Sequence, residues 1–350
     1  MEKKMNKKLL VIRFSALGDV AMTIPIVYSL AAASPQTDIT VLSRKQFAGI
    51  FAHSPSNVHF MGVDLEQYKG IPGLWKLFRL LKQEGFQAVA DLHDVLRTKV
   101  LRTLFRLSGI SCAHIHKGRA EKQALTREHN KKIRQLDTSF SRYHKVFQKL
   151  GYDFPLTFHS LFAQQPQNEE QIAQFIGDKA KGEYKWIGIA PFAKHQGKIY
   201  PLPLMEEVVK LLSEDNRLRI FLFGGGKDET ETLTQWASKY NHVFSCAGRF
   251  SFDEELALMS RLDVMLSMDS GNMHLASLVG TPVVSIWGAT HPYAGFMGWN
   301  QPGKNALQVN MPCRPCSVYG DKPCLRGDYA CMNAIRPYQV VEALLPYINK

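Results

Sequence analysis

The run Ser267-Met268-Asp269-Ser270-Gly271-Asn272-Met273-His274-Leu275-Ala276 leaves an apolar segment and opens a helix that ends near Gly280. A strand, a tight turn of small residues and a helix N-terminus make an anion site, because free backbone N–H groups and the positive end of the helix dipole both point at the turn. A carboxylate in that turn is unfavourable beside a phosphate. Asp269 makes sense if it faces another part of the same ligand, such as sugar hydroxyls, and a nucleotide-sugar has both parts. Ser270 is also a good N-cap, which explains part of the turn without any ligand. His274, one turn further on, is of a type more often packed or hydrogen-bonded than catalytic.

Three other loops follow apolar runs. Arg13-Phe14-Ser15-Ala16-Leu17-Gly18-Asp19-Val20 has neither the dinucleotide fingerprint nor a Walker lysine. It delivers a carboxylate, Asp19, suited to a general base or, more plainly, to the first turn of a helix. Ala190-Pro191-Phe192-Ala193-Lys194-His195-Gln196-Gly197-Lys198 gathers cations where a diphosphate could sit. A lysine there stabilises charge on a departing phosphate without a metal. Phe223-Gly224-Gly225-Gly226-Lys227-Asp228-Glu229 permits close backbone approach, and Asp228 or Glu229 could accept bonds from ribose hydroxyls. No Asp-x-Asp occurs, so a metal-bridged diphosphate is unsupported and no metal ligand is assigned.

These loops need strands and helices to hold them. Strands are expected at 9–14, 38–42, 58–63 and 88–92, with helices at 19–33, 73–84 and 95–107. A polar stretch at 163–184 reads as a linker with a short helix. Alternation resumes with strands at 185–190, 219–223, 263–267 and 283–287 and helices at 203–212, 252–261 and 337–348. Strand–helix alternation implies parallel sheets covered on both faces. The fold class is α/β: two Rossmann-like, doubly wound domains facing a central cleft. The expected division is 1–165, 166–335 and a C-terminal helix within 336–350 that packs back toward the first domain.

The chain has 350 residues, enough for two cores, and a net charge of +12. Residues 97–149 hold fourteen Lys or Arg against three acids, nearly the whole excess. Such a block suits a polyanionic partner: nucleic acid, an anionic membrane surface, or a substrate rich in phosphate or carboxylate. No nucleic-acid-binding motif accompanies it, so nucleic acid is disfavoured. Lys3, Lys4, Lys7 and Lys8 precede an apolar run as in a signal peptide, but Arg13 and Asp19 interrupt it, and a cytoplasmic location is expected. Cys313, Cys316, Cys324 and Cys331 cluster late in the chain; structural zinc is weighed for them and not favoured over reduced thiols.

With these residues in place the chain resembles the heptosyltransferases, glycosyltransferase family 9, over almost its full length. The resemblance is carried by Phe14-Ser15-Ala16-Leu17-Gly18-Asp19-Val20 with Thr23-Ile24-Pro25, and by Ala90-Asp91-Leu92-His93-Asp94-Val95-Leu96-Arg97-Thr98. It continues in Lys198-Ile199-Tyr200-Pro201, in Met268 to Ala276 with Gly280-Thr281-Pro282, and in the cluster ending at Cys331-Met332. It implies a GT-B fold and metal-independent, inverting transfer of a heptose from an ADP-sugar donor. The implied acceptor is the anionic, lipid-linked inner core of lipopolysaccharide at the cytoplasmic face of the inner membrane, with the enzyme peripheral there.

Carried over by residue, Asp19 looks like the general base and Lys198 like the contact to the leaving diphosphate. Asp269 looks like the sugar contact and Ser270 and Gly271 like the phosphate cradle, with Lys194 and His274 nearby. Ser15, Gly18, His93 and Arg97 resemble acceptor-binding positions. His93-Asp94 stands where a Gln-Gly pair is common. The ribose-binding acid stays open among Asp228, Glu229 and Glu231. Two other readings compete: a nucleotide-sugar epimerase or hydrolase, and a non-catalytic protein that docks on anionic membranes.

Overall fold

The computed structural model describes residues 7–162 and 184–349, so the stretch read as a linker falls almost wholly outside them. The chain divides into two units, each built on one wholly parallel sheet.

The first unit comprises Met1–Lys117 and Ser139–Leu161. Its strands β1 (Lys7–Ile12), β2 (Thr37–Arg44), β3 (Val58–Val63), β4 (Ala88–Asp91) and β5 (Ser111–His114) lie in the order β3-β2-β1-β4-β5. Leu9, Leu10, Val11 and Ile12 of the central strand are all fully buried, as a strand covered on both faces requires. Where one helix was expected over 19–33, the chain makes two, α1 (Leu17–Ala21) and α2 (Ile24–Ala33). Pro25 has no N–H to give and suits a first turn, so a new helix begins there. Helices α3 (Gly70–Gln83) and α4 (Leu96–Leu107) follow β3 and β4 and pack together, with the Phe78 ring edge-on to Phe105 at 5.1 Å.

The chain then leaves this unit. Residues Gly118–Thr138, with α5 (Arg119–Thr126), belong to the second unit, and α6 (Ser139–Gln148) returns to the first. A single boundary near 165 is therefore too simple. The excursion is tied down within the second unit: the Leu136 N–H donates to the Tyr293 carbonyl at 2.9 Å, and the Lys131 ammonium donates to the carbonyls of Cys313 and Pro315. Lys122 also lies 4.2 Å over the Phe296 ring. The basic block is thus shared between the units rather than confined to the first.

The second unit holds β6 (Lys185–Ala190), β7 (Leu218–Leu222), β8 (Val243–Ser245), β9 (Val264–Met268), β10 (Val283–Ile286) and β11 (Ala306–Leu307). Their order is β11-β10-β9-β6-β7-β8. Its helices are α7 (Leu202–Ser213), α8 (Lys227–Lys239), α9 (Phe252–Met259), α10 (Gly271–Leu278), α11 (Ala330–Asn333) and α12 (Pro337–Ile348). Helix α12 has the expected bounds but not the expected partner. Its Val340, Leu344 and Ile348 are buried in the second unit's core with Met205 and Val208 of α7, because the apolar stripe faces that sheet. Strands β5, β8 and β11 went unread: β8 and β11 have only three and two residues, and β5, Ser-Cys-Ala-His, is not an apolar run. Among the described residues no helix is long and apolar enough to cross a membrane.

Candidate active site

In both sheets the strand order reverses beside the first strand, between β1 and β4 in one unit and between β6 and β9 in the other. Ligands of doubly wound sheets bind outside the carboxyl ends of the strands at that reversal. The registers Ile12↔Asp91 and Ala190↔Ser267 put the post-strand loops side by side. Those are the loops that carry Asp19, His93 and Arg97 in the first unit and Lys194, Lys198 and Asp269 in the second.

In the first unit Arg13 organises the site, and sequence reasoning gave it no role. The residue is 8% exposed, and its guanidinium pairs with Asp19 Oδ2 at 2.6 Å and donates from Nη1 to the Leu92 carbonyl at 2.7 Å. One side chain therefore joins the loop after β1 to the loop after β4. The Ala16 N–H also donates to Asp19 Oδ2 at 3.2 Å, and Tyr143 Oη donates to the Asp19 carbonyl at 3.3 Å. The Ser15–Ala16 peptide is cis. Asp19 keeps a side chain 32% exposed, whereas the Asp91 side chain is wholly buried. Asp91 is structural. Its Oδ1 accepts the N–H groups of His93 and Asp94 at 2.9 and 2.8 Å, and its Oδ2 accepts Arg102 Nη1 at 2.6 Å.

His93 is buried, and its Nδ1 accepts the Phe14 N–H at 3.4 Å. The ring proton then sits on Nε2, 3.5 Å from Ser15 Oγ. Burial, reinforced by the positive charges of Arg13 and Lys117, pushes its pKa down to about 3. The His93 ring is therefore neutral near pH 7. Gly18 lies half-buried in α1, and Arg97 lies half-buried in the first turn of α4 without a hydrogen bond or ion pair among the described residues.

In the second unit Lys198 Nζ lies 2.9 Å from Asp269 Oδ2, which also accepts Thr290 Oγ1 at 2.8 Å. Asp269 Oδ1 accepts nothing among the described residues. An ammonium has three hydrogens, so Lys198 retains two for a ligand. Ser270 occupies the N-cap of α10, but its side chain caps nothing; its Oγ lies 3.3 Å from Ser267 Oγ. The first-turn N–H groups that capping would have satisfied are left to a ligand or water. His274 is buried in the first turn. Lys194 is exposed and has no hydrogen bond or ion pair among the described residues. The acids after β7 differ in setting: Glu229 Oε2 accepts the Gly225 N–H at 2.8 Å, while Asp228 and Glu231 are exposed.

The late loop of the second unit positions Lys198. Gly320 has φ +75°, and a Cβ there would lie 2.6 Å from Lys198 Cγ, so the lysine stem runs along a surface that only glycine leaves open. Gly197 is similarly enclosed, with the Ala289 Cβ and the Gly320 carbonyl within 2.9 Å of an added Cβ. Arg314, 6% exposed, donates to the carbonyls of Trp287, Gly288, Val309 and Thr290 and so fixes the Thr290 loop. The four cysteines around it are free thiols, and among the described residues no group of three or more His, Cys, Asp or Glu is placed to hold a metal ion. Arg13, Thr290, Arg314 and Gly320 escaped sequence reasoning. Arg13 and Thr290 left a signal, one directly after β1 and the other four residues beyond β10.

The chain is similar to known proteins in sequence and in fold. The family described as glycosyltransferase family 9 (heptosyltransferase) matches residues 74–324. The lipopolysaccharide core heptosyltransferase OpsX of Haemophilus influenzae is 26% identical over 292 residues, covering 82% of this chain and 80% of its own. Among solved structures, a family 9 glycosyltransferase from Veillonella parvula superposes with a TM-score of 0.74 at 20% identity, covering 98% of both chains. The ADP-heptose lps heptosyltransferase II of E. coli does so with 0.70 at 20% identity, again over 98% of both, which gives the fold as GT-B. The chain belongs to glycosyltransferase family 9, the heptosyltransferases.

Proposed function

We propose that this enzyme transfers a heptose from an ADP-activated donor to the inner core of lipopolysaccharide, with inversion and without a catalytic metal. The observation that carries the reading is the Lys198–Asp269 pair at the second unit's strand-order reversal, one cation and one carboxylate held 2.9 Å apart beside the first turn of α10. The names of the relatives support the substrate class: OpsX acts on lipopolysaccharide core, and the E. coli enzyme uses ADP-heptose.

Each step has a residue. An acceptor hydroxyl attacks the anomeric carbon while Asp19 takes its proton, and the bond to the diphosphate oxygen breaks as ADP departs. Asp19 suits the role because, of Asp19, Asp91 and Asp269, it alone is substantially exposed. The two remaining hydrogens of Lys198, Lys194 and the amides near Ser270 and Gly271 neutralise the leaving diphosphate. Asp269 Oδ1 takes sugar hydroxyls. Glu229, with one oxygen already held by the Gly225 N–H, is the ribose acid best fixed in place. Ser15, Gly18, His93 and Arg97 form the acceptor side, and the unpaired Arg97 suits an acceptor phosphate or carboxylate. Cytoplasmic location, peripheral on the inner membrane, belongs to the same reading.

Mass spectrometry of the core oligosaccharide from a strain lacking this chain, beside its parent, tests the proposal. Loss of one heptose, restored by the gene, is expected. An unchanged core would contradict it.

A further inference from the structure

The first unit carries an exposed face that the transfer site does not use. Helix α3 exposes Ile71 (75%) and Trp75 (50%), and α4 exposes Leu96 and Leu107 (81% each). Near their carboxyl ends the two helices frame a groove of about 610 Å³ whose lining includes Trp75, Phe78, Arg79, Lys82, Leu104 and Leu107. Lys76, Arg79 and Lys82 lie on α3, and Arg97, Lys99, Arg102 and Arg106 on α4; neither helix contains an acid. Of these only Arg102 is buried, on Asp91.

A face that is merely solvated has no use for an exposed tryptophan and several exposed aliphatics. Nucleic acid would engage the cations but not the leucines. A second copy of this chain would bring like charges together. An apolar and anionic partner satisfies both features: aromatic and aliphatic side chains enter the headgroup boundary while Lys and Arg stems reach the phosphates. The topology also places the face usefully. Both helices lead away from strand carboxyl ends, so Ile71 and Leu96 lie at the same edge of the sheet as the Asp19 loop.

We propose that the α3–α4 face is the surface by which this enzyme docks on an anionic lipid bilayer. The proposal deepens the reading above, since a lipid-linked acceptor would then be met at the membrane. Of the block 97–149, read from sequence as suited to a polyanionic partner, only α4 belongs to this face, and part of the block belongs to the second unit.

Binding alone tests it, without turnover, so its failure is separable from failure of the transferase reading. Trp75 is a built-in reporter: Trp186, Trp236, Trp287 and Trp299 are each no more than 8% exposed. The full chain is mixed with vesicles of phosphatidylcholine alone or with phosphatidylglycerol, both with brominated acyl chains. Quenching is expected on the phosphatidylglycerol vesicles, abolished in Trp75→Phe and by high salt. Arg79→Ser combined with Lys82→Ser should weaken binding roughly tenfold or more. All these side chains are exposed, and an unchanged thermal midpoint would show that the variants fold. Absence of quenching would overturn the proposal. So would equal binding by the Arg79/Lys82 variant, or concentration-dependent self-association that Trp75→Ser with Leu107→Ser abolishes.

Discussion

At the scale of single residues, the first unit's site depends on groups held in one charge state. His93 keeps a neutral ring in the fold, with a pKa near 3 against 6.5 for a free histidine. Between those values the unfolded chain binds a proton there that the folded chain does not. Stability from this group is therefore complete above pH 6.5 and falls as pH drops toward 3, by up to about 1.4 kcal/mol per pH unit. His93→Gln should flatten the fall in urea-unfolding stability between pH 6 and 4 (roughly the middle of that window). An equal slope in both proteins would show that His93 is not buried neutral. In the second unit, Gly320→Ala places a Cβ against the Lys198 stem and a side chain at positive φ. It should cost roughly 1–2 kcal/mol of stability and lower kcat more than it raises KM for donor. A variant with wild-type kcat would remove Gly320 from the positioning of Lys198. Lys198, Asp269 and Asp19 were legible in the sequence because they follow strand signatures. Gly320 was not, since its partner lies more than a hundred residues away.

At the scale of elements, apolar periodicity served well where a helix carries a clear apolar stripe and failed where it does not, as in α8, thirteen residues long but burying only Leu233 and Trp236. Helices α3, α4, α7 and α12 appear within a few residues of expectation, each with a clear buried stripe. The α1–α2 break was visible in Pro25 but not read. Ser270 shows a different limit: its position was right and its bond was wrong, because an N-cap residue can turn its hydroxyl to a neighbour such as Ser267. The loop carrying Thr290 is held from outside by Arg314, across some twenty-five residues of sequence. Arg314→Leu orphans several buried carbonyls at roughly 1–3 kcal/mol each. A clear drop in the urea midpoint, with weaker binding of ADP, is expected. A midpoint equal to that of the wild type would show that the loop does not depend on Arg314.

At the scale of the whole molecule, strand–helix alternation was enough to announce two parallel sheets, and the strand orders then put the candidate site loops at a reversal point in each. The excursion of Gly118–Thr138 into the second unit was not legible because its ties run to Tyr293, Cys313 and Pro315, far along the sequence, and the seat of α12 was not because it is settled by which of two cores buries its apolar stripe. If Lys198, Lys194 and the α10 amides suffice for the diphosphate, transfer should continue at an undiminished rate in excess chelator. A strict requirement for a divalent cation would contradict that part of the mechanism.

The central claim is that Asp19 is the base of a heptosyl transfer from an ADP-activated donor. It is tested most directly by purified wild type and Asp19→Asn acting on ADP-heptose and a heptose-deficient core acceptor, with product followed by mass and donor affinity measured in parallel. The expected result is addition of one heptosyl unit by the wild type, and loss of about 10²-fold or more in kcat with nearly unchanged donor affinity in the variant. Wild-type turnover by Asp19→Asn, or no transfer by the wild type, would contradict it.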